Sequence, residues 1–382
     1  MPESAGKEIT RRGFVTKVGQ GLLISKVAGL AIPHAAAAQQ LNVPPAPGKK
    51  CGWAIVGLGR LSIEQILPAF AKCEKSTVVA FVSGHPDKAN KLALRYGVSE
   101  KNIYNYQNYD LIKDNRDVDV IYIVLPNSMH AEYTMRGLQA GKHVLCEKPM
   151  ANTPVDCQAM IDAARKNDRK LMVAYRCRYE PFNQEMIRIA RSQELGALKV
   201  ILCDTGFRIG DPTQWRLNKA LAGGGSLMDV GIYSLEAARY ISGEEPTEIN
   251  AFSYSTPDDV HFKEVEETIM FQLRFPSGVL ANCSSSYGYS GQNRFRAVTT
   301  QGWFELEPAM YYSGLRMKVN RGNKLEEVSI PQKDHFASEM DHMSECVMEN
   351  KQPLTPGEEG LRDIKLIMAI YDAARSNKTV KV

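Results

Sequence analysis

From Cys51 onward, short apolar runs alternate with amphipathic stretches. CGWAIVGLG predicts a strand running into a glycine turn, followed by a helix over 62–72, the strand STVVAFVSG and a helix over 88–96. VDVIYIVLP, KHVLCEKP and KLMVAY predict three more strands, separated by helices over 131–140 and 154–167. Strands that are apolar on both faces and alternate with helices predict a parallel sheet covered on both sides.

Beyond Tyr175 the period changes. In ETIMFQLRF, Ile269, Phe271, Leu273 and Phe275 alternate with more polar residues; the chain turns at Pro276-Ser277-Gly278 and continues as VLANCSSS. With TEINAFSYS, NRFRAVTTQ, WFELE, GLRMKVN and EEVSI, this predicts a mainly antiparallel open sheet with one apolar face. Helices over 334–349 and 358–374 close the chain. The expected organisation is an α/β protein with one domain over residues 51–175 and a second over residues 176–382.

Two segments precede that pattern. QQLNVPPAPGKK, residues 39–50, is Pro-rich and polar, and reads as an extended arm. Residues 1–38 carry the Arg11-Arg12 pair, a mildly apolar stretch from Val18 to Ile32 and a small-residue end at Ala36 and Ala38. These are the parts of a twin-arginine signal peptide, which implies the twin-arginine translocation machinery as a partner and the periplasm as destination. Lys26 and three glycines interrupt the run, which argues against a membrane anchor.

The signal changes the meaning of the charge. The formal net charge is +4 over 382 residues, but Lys7, Arg11, Arg12, Lys17 and Lys26 against Glu3 and Glu8 supply most of it. The remainder is close to neutral, so nucleic acid is not an expected partner. At 44% hydrophobic and 24% charged, with 8 scattered Cys and no C-x-x-C pair, the chain suits neither a disordered class nor a disulfide framework. No cysteine or histidine spacing suggests a metal, and the cysteines within apolar strands read as buried thiols.

Gly57-Leu58-Gly59-Arg60-Leu61-Ser62 follows the first strand and opens a helix, the context in which G-x-G-x-x-G binds a pyrophosphate. Gly57 would permit the turn, Gly59 would admit the phosphates, and the helix N-terminus would offer amides. Ser62 stands where the third glycine is usual. An NAD site usually ends its second strand in Asp or Glu, but here that strand ends in Val82-Ser83-Gly84-His85, with Lys88 close behind. Ser83 can donate to a phosphate and Lys88 can neutralise it, so NADP(H) is the expected cofactor.

Three further strings matter: LPNSMHAE at 125–132, CEKPMA at 146–151 and GGGSLMDVGIY at 223–233. With the glycine motif, the chain resembles the Gfo/Idh/MocA family, which includes glucose-fructose oxidoreductase, inositol dehydrogenase and related sugar oxidoreductases. YRCRYEP at 175–181, DPTQWRL at 211–217 and PGEEG at 356–360 resemble the glucose-fructose oxidoreductase branch of that family. The resemblance implies an NADP-binding Rossmann domain over 51–175 and, over 176–382, an α/β substrate and oligomerisation domain whose open sheet faces a partner subunit in a homodimer or homotetramer. It also implies a tightly held NADP(H) and a catalytic group of Lys148, Asp229 and Tyr233, with Leu125, Asn127, His130 and Glu147 added to the cofactor channel.

The residue chemistry is compatible with those roles. Oxidising a pyranose at C1 removes a hydride and a hydroxyl proton, so a base must stand beside the hydride path. Tyr233 is a candidate if Lys148, in the turn after an apolar strand, makes its phenol more acidic. Asp229 lies four residues before Tyr233, so a helix would present both on one face, and Gly223 to Gly225 would let backbone approach a ligand. Arg176, Arg178, Trp215 and Arg216 are candidates for the sugar site. Bland roles compete with each: an exposed lysine, an acidic first-turn residue, a half-buried tyrosine.

Export adds its own constraint. With no NADP pool outside the cytoplasm, the cofactor must be loaded before export and kept. At a Kd of about 1 nM and an association rate near 10⁶ M⁻¹s⁻¹, release would take roughly 10³ s. Longer service needs tighter binding or a cover, and the arm Leu41 to Pro47 is the expected cover. A retained cofactor must be recycled in place, so a ping-pong reaction is expected: one aldose, such as glucose, leaves as its lactone, then a second sugar is reduced. Fructose to sorbitol and an aldose to an alditol are the two expected second halves. An NAD-dependent glycosidase of this architecture and a non-enzymatic NADP(H)-binding sensor are the competing classes.

Overall fold

The computed structural model describes residues 50–382; the expected export signal and nearly all of the Pro-rich segment expected to form an arm lie outside the described residues. Six strands, β1 (Cys51–Val56), β2 (Ser76–Val82), β3 (Ile103–Tyr104), β4 (Val120–Ile123), β5 (His143–Glu147) and β6 (Leu171–Ala174), form an all-parallel sheet in the order 3-2-1-4-5-6. Every residue of β1, β4 and β6 is buried, as expected for strands covered on both faces. The strand order reverses beside β1, which places a ligand crevice at the carboxyl ends of β1 and β4.

The second sheet has nine strands: β7 (Leu198–Gly206), β8 (Glu248–Tyr254), β9 (Thr268–Arg274), β10 (Leu280–Ser286), β11 (Asn293–Thr299), β12 (Gly302–Leu306), β13 (Met317–Arg321), β14 (Lys324–Val328) and β15 (Val380–Lys381). Its order is 14-13-12-11-7-10-9-8-15, antiparallel throughout except where β7 runs parallel to β10. One face is open: along β9, Ile269, Phe271 and Leu273 are buried while Met270, Gln272 and Arg274 are exposed. The central strand β7 and the helix Pro181–Ser192 were not among the expected elements.

Local chemistry fixes the helices. Thr153 accepts from Asp156 N and precedes Pro154, and Asp334 accepts from Phe336 N and Ala337 N, so both helices start at capped positions. The helix expected over 62–72 divides into a π-helical turn (Ser62–Ile66), one α turn (Leu67–Ala69) and a 3₁₀ turn (Phe70–Lys72). Pro68 lacks the amide that a regular α register would use there.

The helix His335–Met348 does not pack beside the second sheet, although it follows that sheet in sequence. Its Phe336, Met340 and Met343 join Trp53, Phe70 and Tyr122 in a core under the first sheet. Trp53 Nε1 donates to Ser344 Oγ at 3.0 Å, and Ser76 Oγ to Asp341 Oδ1 at 2.8 Å. Cys73, Cys146, Cys157, Cys203, Cys283 and Cys346 are buried free thiols, and Cys177 is a half-buried one.

Candidate functional site

At the end of β1 the chain turns through Gly57 at φ +94°, where a Cβ would lie 2.2 Å from the Val124 carbonyl oxygen. Only glycine meets both demands. Ser62, fully buried, donates its hydroxyl to Gly57 O at 2.5 Å, so the residue in place of the third glycine closes the turn itself. At Gly59 a Cβ would meet nothing within 4 Å, which leaves an open cradle over the first helical amides. Those features fit a dinucleotide pyrophosphate.

Leu58 is packed in the core and Leu61 lies against it, while Arg60 is exposed and paired with Glu64 at 2.9 Å. Lys88 Nζ donates to Leu58 O at 3.2 Å, which brings its charge to the glycine turn, and Ser83 Oγ accepts from His85 N at 3.1 Å. The hydroxyl proton of Ser83 is thereby left to donate.

The turn after β5 carries Lys148. Its Nζ donates to Asp229 O at 2.5 Å, lies 3.5 Å from Asp229 Oδ1, and stands 4.6 Å from the Tyr233 ring centroid. Asp229 Oδ2 accepts from Arg216 Nε at 3.0 Å and from the Tyr287 hydroxyl at 3.1 Å. Burial opposes ionisation of Asp229, but Arg216, Lys148 and Tyr287 outweigh it and hold the carboxyl below its ordinary range. Asp229 sits in a π-helical turn, Leu227–Gly231, that leads into the helix Ile232–Ser242 bearing Tyr233. The structure thus brings Lys148, Asp229, Tyr233 and Arg216 together.

Several expectations need correction. Lys148 faces the Tyr233 ring rather than acidifying its hydroxyl; burial pushes the phenol well above its ordinary value, and Arg176 is the cation that opposes the rise. Arg176 is itself buried: Nη2 donates to Met310 O at 2.6 Å and the guanidinium lies 5.0 Å and 4.8 Å from the Tyr233 and Tyr312 rings, so it braces the cluster from behind. His130 is fully buried, with Nδ1 2.8 Å from Pro149 O and Nε2 2.9 Å from Leu125 O, so it ties two loops together and exposes no ring nitrogen. Arg178 packs on Tyr240, 4.0 Å from its ring, beside a small cavity lined also by Cys177 and Glu236.

The glycine string needs correction as well. A Cβ at Gly225 would lie 2.0 Å from Glu266 O, so the close approach there is to protein and not to a ligand. Glu266 accepts from Gly225 N at 2.8 Å and Leu227 N at 2.9 Å and holds the turn that carries Asp229. Asn127 donates to Ala222 O at 2.9 Å and joins the loop after β4 to the same segment, while Leu125 is packed in the core. Trp215 stacks on Arg216, 4.6 Å from ring to guanidinium, at the edge of the Asp229 cluster. Glu147 accepts from Tyr122 at 2.8 Å and from Lys148 N at 3.2 Å.

Sequence reading missed Tyr287, Glu266, Tyr312, Tyr122 and Glu339. The available signal was weak: Tyr287 stands just past a strand end, where polar groups meet ligands, but nothing in YGY names its partner.

Comparison with known proteins is consistent with this arrangement. Residues 51–175 match the model described as an oxidoreductase family with an NAD-binding Rossmann fold, and residues 183–305 match the GFO/IDH/MocA C-terminal domain. The chain is similar to the aldose-aldose oxidoreductase of Caulobacter crescentus, solved in complex with glycerol: 48% identity, TM-score 0.86, covering 87% of this chain and 100% of that one. It is 29% identical to the D-xylose 1-dehydrogenase [NADP(+)] of Haloarcula marismortui, over 86% of this chain and 92% of that protein. A 3-ketoreductase from Actinomadura kijaniata, in complex with NADP and TDP-benzene, shares the fold at 21% identity and TM-score 0.76, over 85% of this chain and 98% of that one.

Proposed function

The chain belongs to the Gfo/Idh/MocA oxidoreductase family, and from that premise we propose that it is an exported sugar oxidoreductase with tightly held NADP(H). One aldose is oxidised to its lactone, and a second sugar is then reduced in the same site. The observation that carries this reading is the convergence of Lys148, Asp229 and Tyr233 at the carboxyl edge of the sheet whose first strand ends in the glycine turn. Similarity to an aldose-aldose oxidoreductase favours a second aldose over fructose as the acceptor.

Bound NADP(H) supplies a hydride acceptor and donor. The turn 57–61, with Ser83 and Lys88, holds it; the missing carboxylate after β2 and the NADP-dependent xylose dehydrogenase relative support the phosphorylated form. Lys148 Nζ and Asp229 orient the sugar hydroxyls, with Arg216 and Trp215 at the rim. Tyr233 exchanges the hydroxyl proton at its Oη; the raised phenol is suited to donating in the reductive half and needs an outlet for its proton in the oxidative half.

The test is the near-ultraviolet absorbance of purified protein. An aldose should raise it by reducing bound nicotinamide, and a second aldose, or fructose, should lower it again. A requirement for added NADP⁺ in every turnover overturns the ping-pong reading. Export is checked by replacing Arg11 and Arg12 with Lys and locating the protein by cell fractionation. Removing residues 41–47 should speed NADP(H) release if the arm is the cover. The open face of the second sheet, with Phe252, Tyr254, Met270 and Leu280 exposed, is the surface for a second copy, read by sedimentation.

A further inference from the structure

Behind Lys148 lie two carboxyl groups with no acid or base role in the reading above. Glu147 ends β5, and Glu339 sits on the helix His335–Met348 that packs under the same sheet. Between them is the Tyr122 hydroxyl from β4, 2.8 Å from Glu147 Oε1 and 3.3 Å from Glu339 Oε1. Tyr122 and Glu339 are fully buried.

A phenol has one proton to donate. The shorter contact takes it to Glu147, and the contact to Glu339 is then a clash of two acceptors unless Glu339 carries a proton of its own and donates to the phenol oxygen. Glu339 Oε2 gives the same answer, because it is buried with no partner. An ionised carboxylate would leave charge bare there, whereas a carboxylic acid leaves only a carbonyl. Burial, and then the charge of Glu147, push Glu339 upward, and burial pushes Glu147 upward against the pull of Lys148.

The surrounding groups add no competing proton donor. Lys148 is committed to Asp229 and Arg176 to Met310 O. His335, one turn before Glu339, is pushed down to about 2 by burial and by Arg176, whose Nη1 donates to its Nδ1 at 3.3 Å, so its ring is neutral. Tyr233 and Tyr312 face Glu147 as raised phenols.

We propose that Glu147, Tyr122 and Glu339 form a proton store, with one carboxyl proton at rest and two after the first half-reaction, that keeps the sugar's proton until the second sugar takes it. This rests on the sugar-oxidoreductase reading. In the oxidative half the C–H bond of the aldose gives its electron pair as hydride to the nicotinamide. Its O–H bond breaks, the electrons form C=O, and the proton passes through Tyr233 Oη to the Glu147 carboxylate. In the reductive half, hydride attacks the second sugar's carbonyl carbon and the stored proton returns to its oxygen. The buried charge stays constant, because one positive charge and one negative charge vanish and reappear together.

The test uses the holoenzyme in weak buffer with a pH-indicator dye, given glucose and no acceptor. Wild-type protein should release close to no proton per nicotinamide reduced, and Glu147→Gln about one. About one proton from wild-type protein overturns the store, whether or not the variant folds. A second readout needs no substrate: the infrared C=O stretch of a buried carboxylic acid should be present in resting wild-type protein and lost in Glu339→Gln, which mimics the neutral acid. Its absence from wild-type protein also overturns the proposal. If no aldose reduces the cofactor, the sugar reading and the store fall together, and the infrared band tells that failure from a pair that never held a proton.

Discussion

The glycine turn at Gly57 and the Lys148 cluster lie at the same edge of one sheet, yet they are built from different material. The turn is backbone: a left-handed φ and one serine hydroxyl within six residues of sequence, closed from the neighbouring strand end by the Val124 carbonyl, 2.2 Å from a virtual Cβ. The cluster is side chains, gathered from β5, from the Trp215 segment, from the π-helical turn and from Tyr287 past β10. A backbone site depends on conformation and tolerates side-chain change around it. A side-chain site depends on particular atoms and fails one atom at a time.

The sharpest way to break that contrast is Lys148→Met, which keeps the stem and removes Nζ. The contact to Asp229 and the charge over Tyr233 disappear, and kcat/KM for the aldose half-reaction should fall about 10³-fold, the usual range for losing a group at the proton-transfer centre. Stopped-flow reduction of the bound nicotinamide measures it, with thermal unfolding little changed. A fall below tenfold would mean that the cluster is not the reacting centre.

Gly57→Ala attacks the other side. A Cβ must be placed at φ +94° and against Val124 O, so the loss is conformational, about 2 kcal/mol. The expected result is a melting temperature lower by several degrees, together with weaker cofactor retention. If retention fell while melting did not change, the strain would be absorbed locally and the turn would be softer than its geometry implies.

The same contrast explains what the sequence disclosed. Gly57, Gly59 and the missing acidic residue after β2 were legible because a backbone site is local, and its residues stand in order along the chain. Lys148, Asp229 and Tyr233 could be named as candidates only through the family strings. Their true neighbours were hidden by distance: Tyr287 reaches Asp229 across 58 positions and Glu339 reaches Tyr122 across 217. Periodicity gave most strands but not β7, where burial alternates but the half-buried Val200 and Leu202 are as apolar as the buried Ile201 and Cys203, so the sequence shows no polar–apolar alternation. It could not show that the helix His335–Met348 returns to the first sheet, since an amphipathic pattern shows that a helix has a buried face without naming what covers it.

Tyr287→Phe is a milder test of the side-chain site. It removes the hydrogen bond at 3.1 Å and leaves Asp229 its partners Arg216 and Lys148. A loss of about 1 kcal/mol corresponds to roughly a fivefold fall in kcat/KM. Asp229 would also titrate slightly higher, because one group that holds its carboxyl down is gone. An unchanged rate would show that the two cations alone fix Asp229.

The smallest effect is expected at Lys88, which belongs to both kinds of site. Its ammonium is a side-chain charge for a 2′-phosphate, but the observed bond is to the Leu58 carbonyl of the backbone turn. Lys88→Ala separates these roles through the ratio of two affinities. If the charge serves the 2′-phosphate, NADP⁺ binding should weaken a few-fold while NAD⁺ binding stays the same, since NAD⁺ has no 2′-phosphate. If the lysine chiefly braces the turn, both should weaken equally, because both use the same pyrophosphate cradle. Calorimetric titration of protein freed of nucleotide measures both affinities, and equal weakening would make Lys88 part of the backbone site.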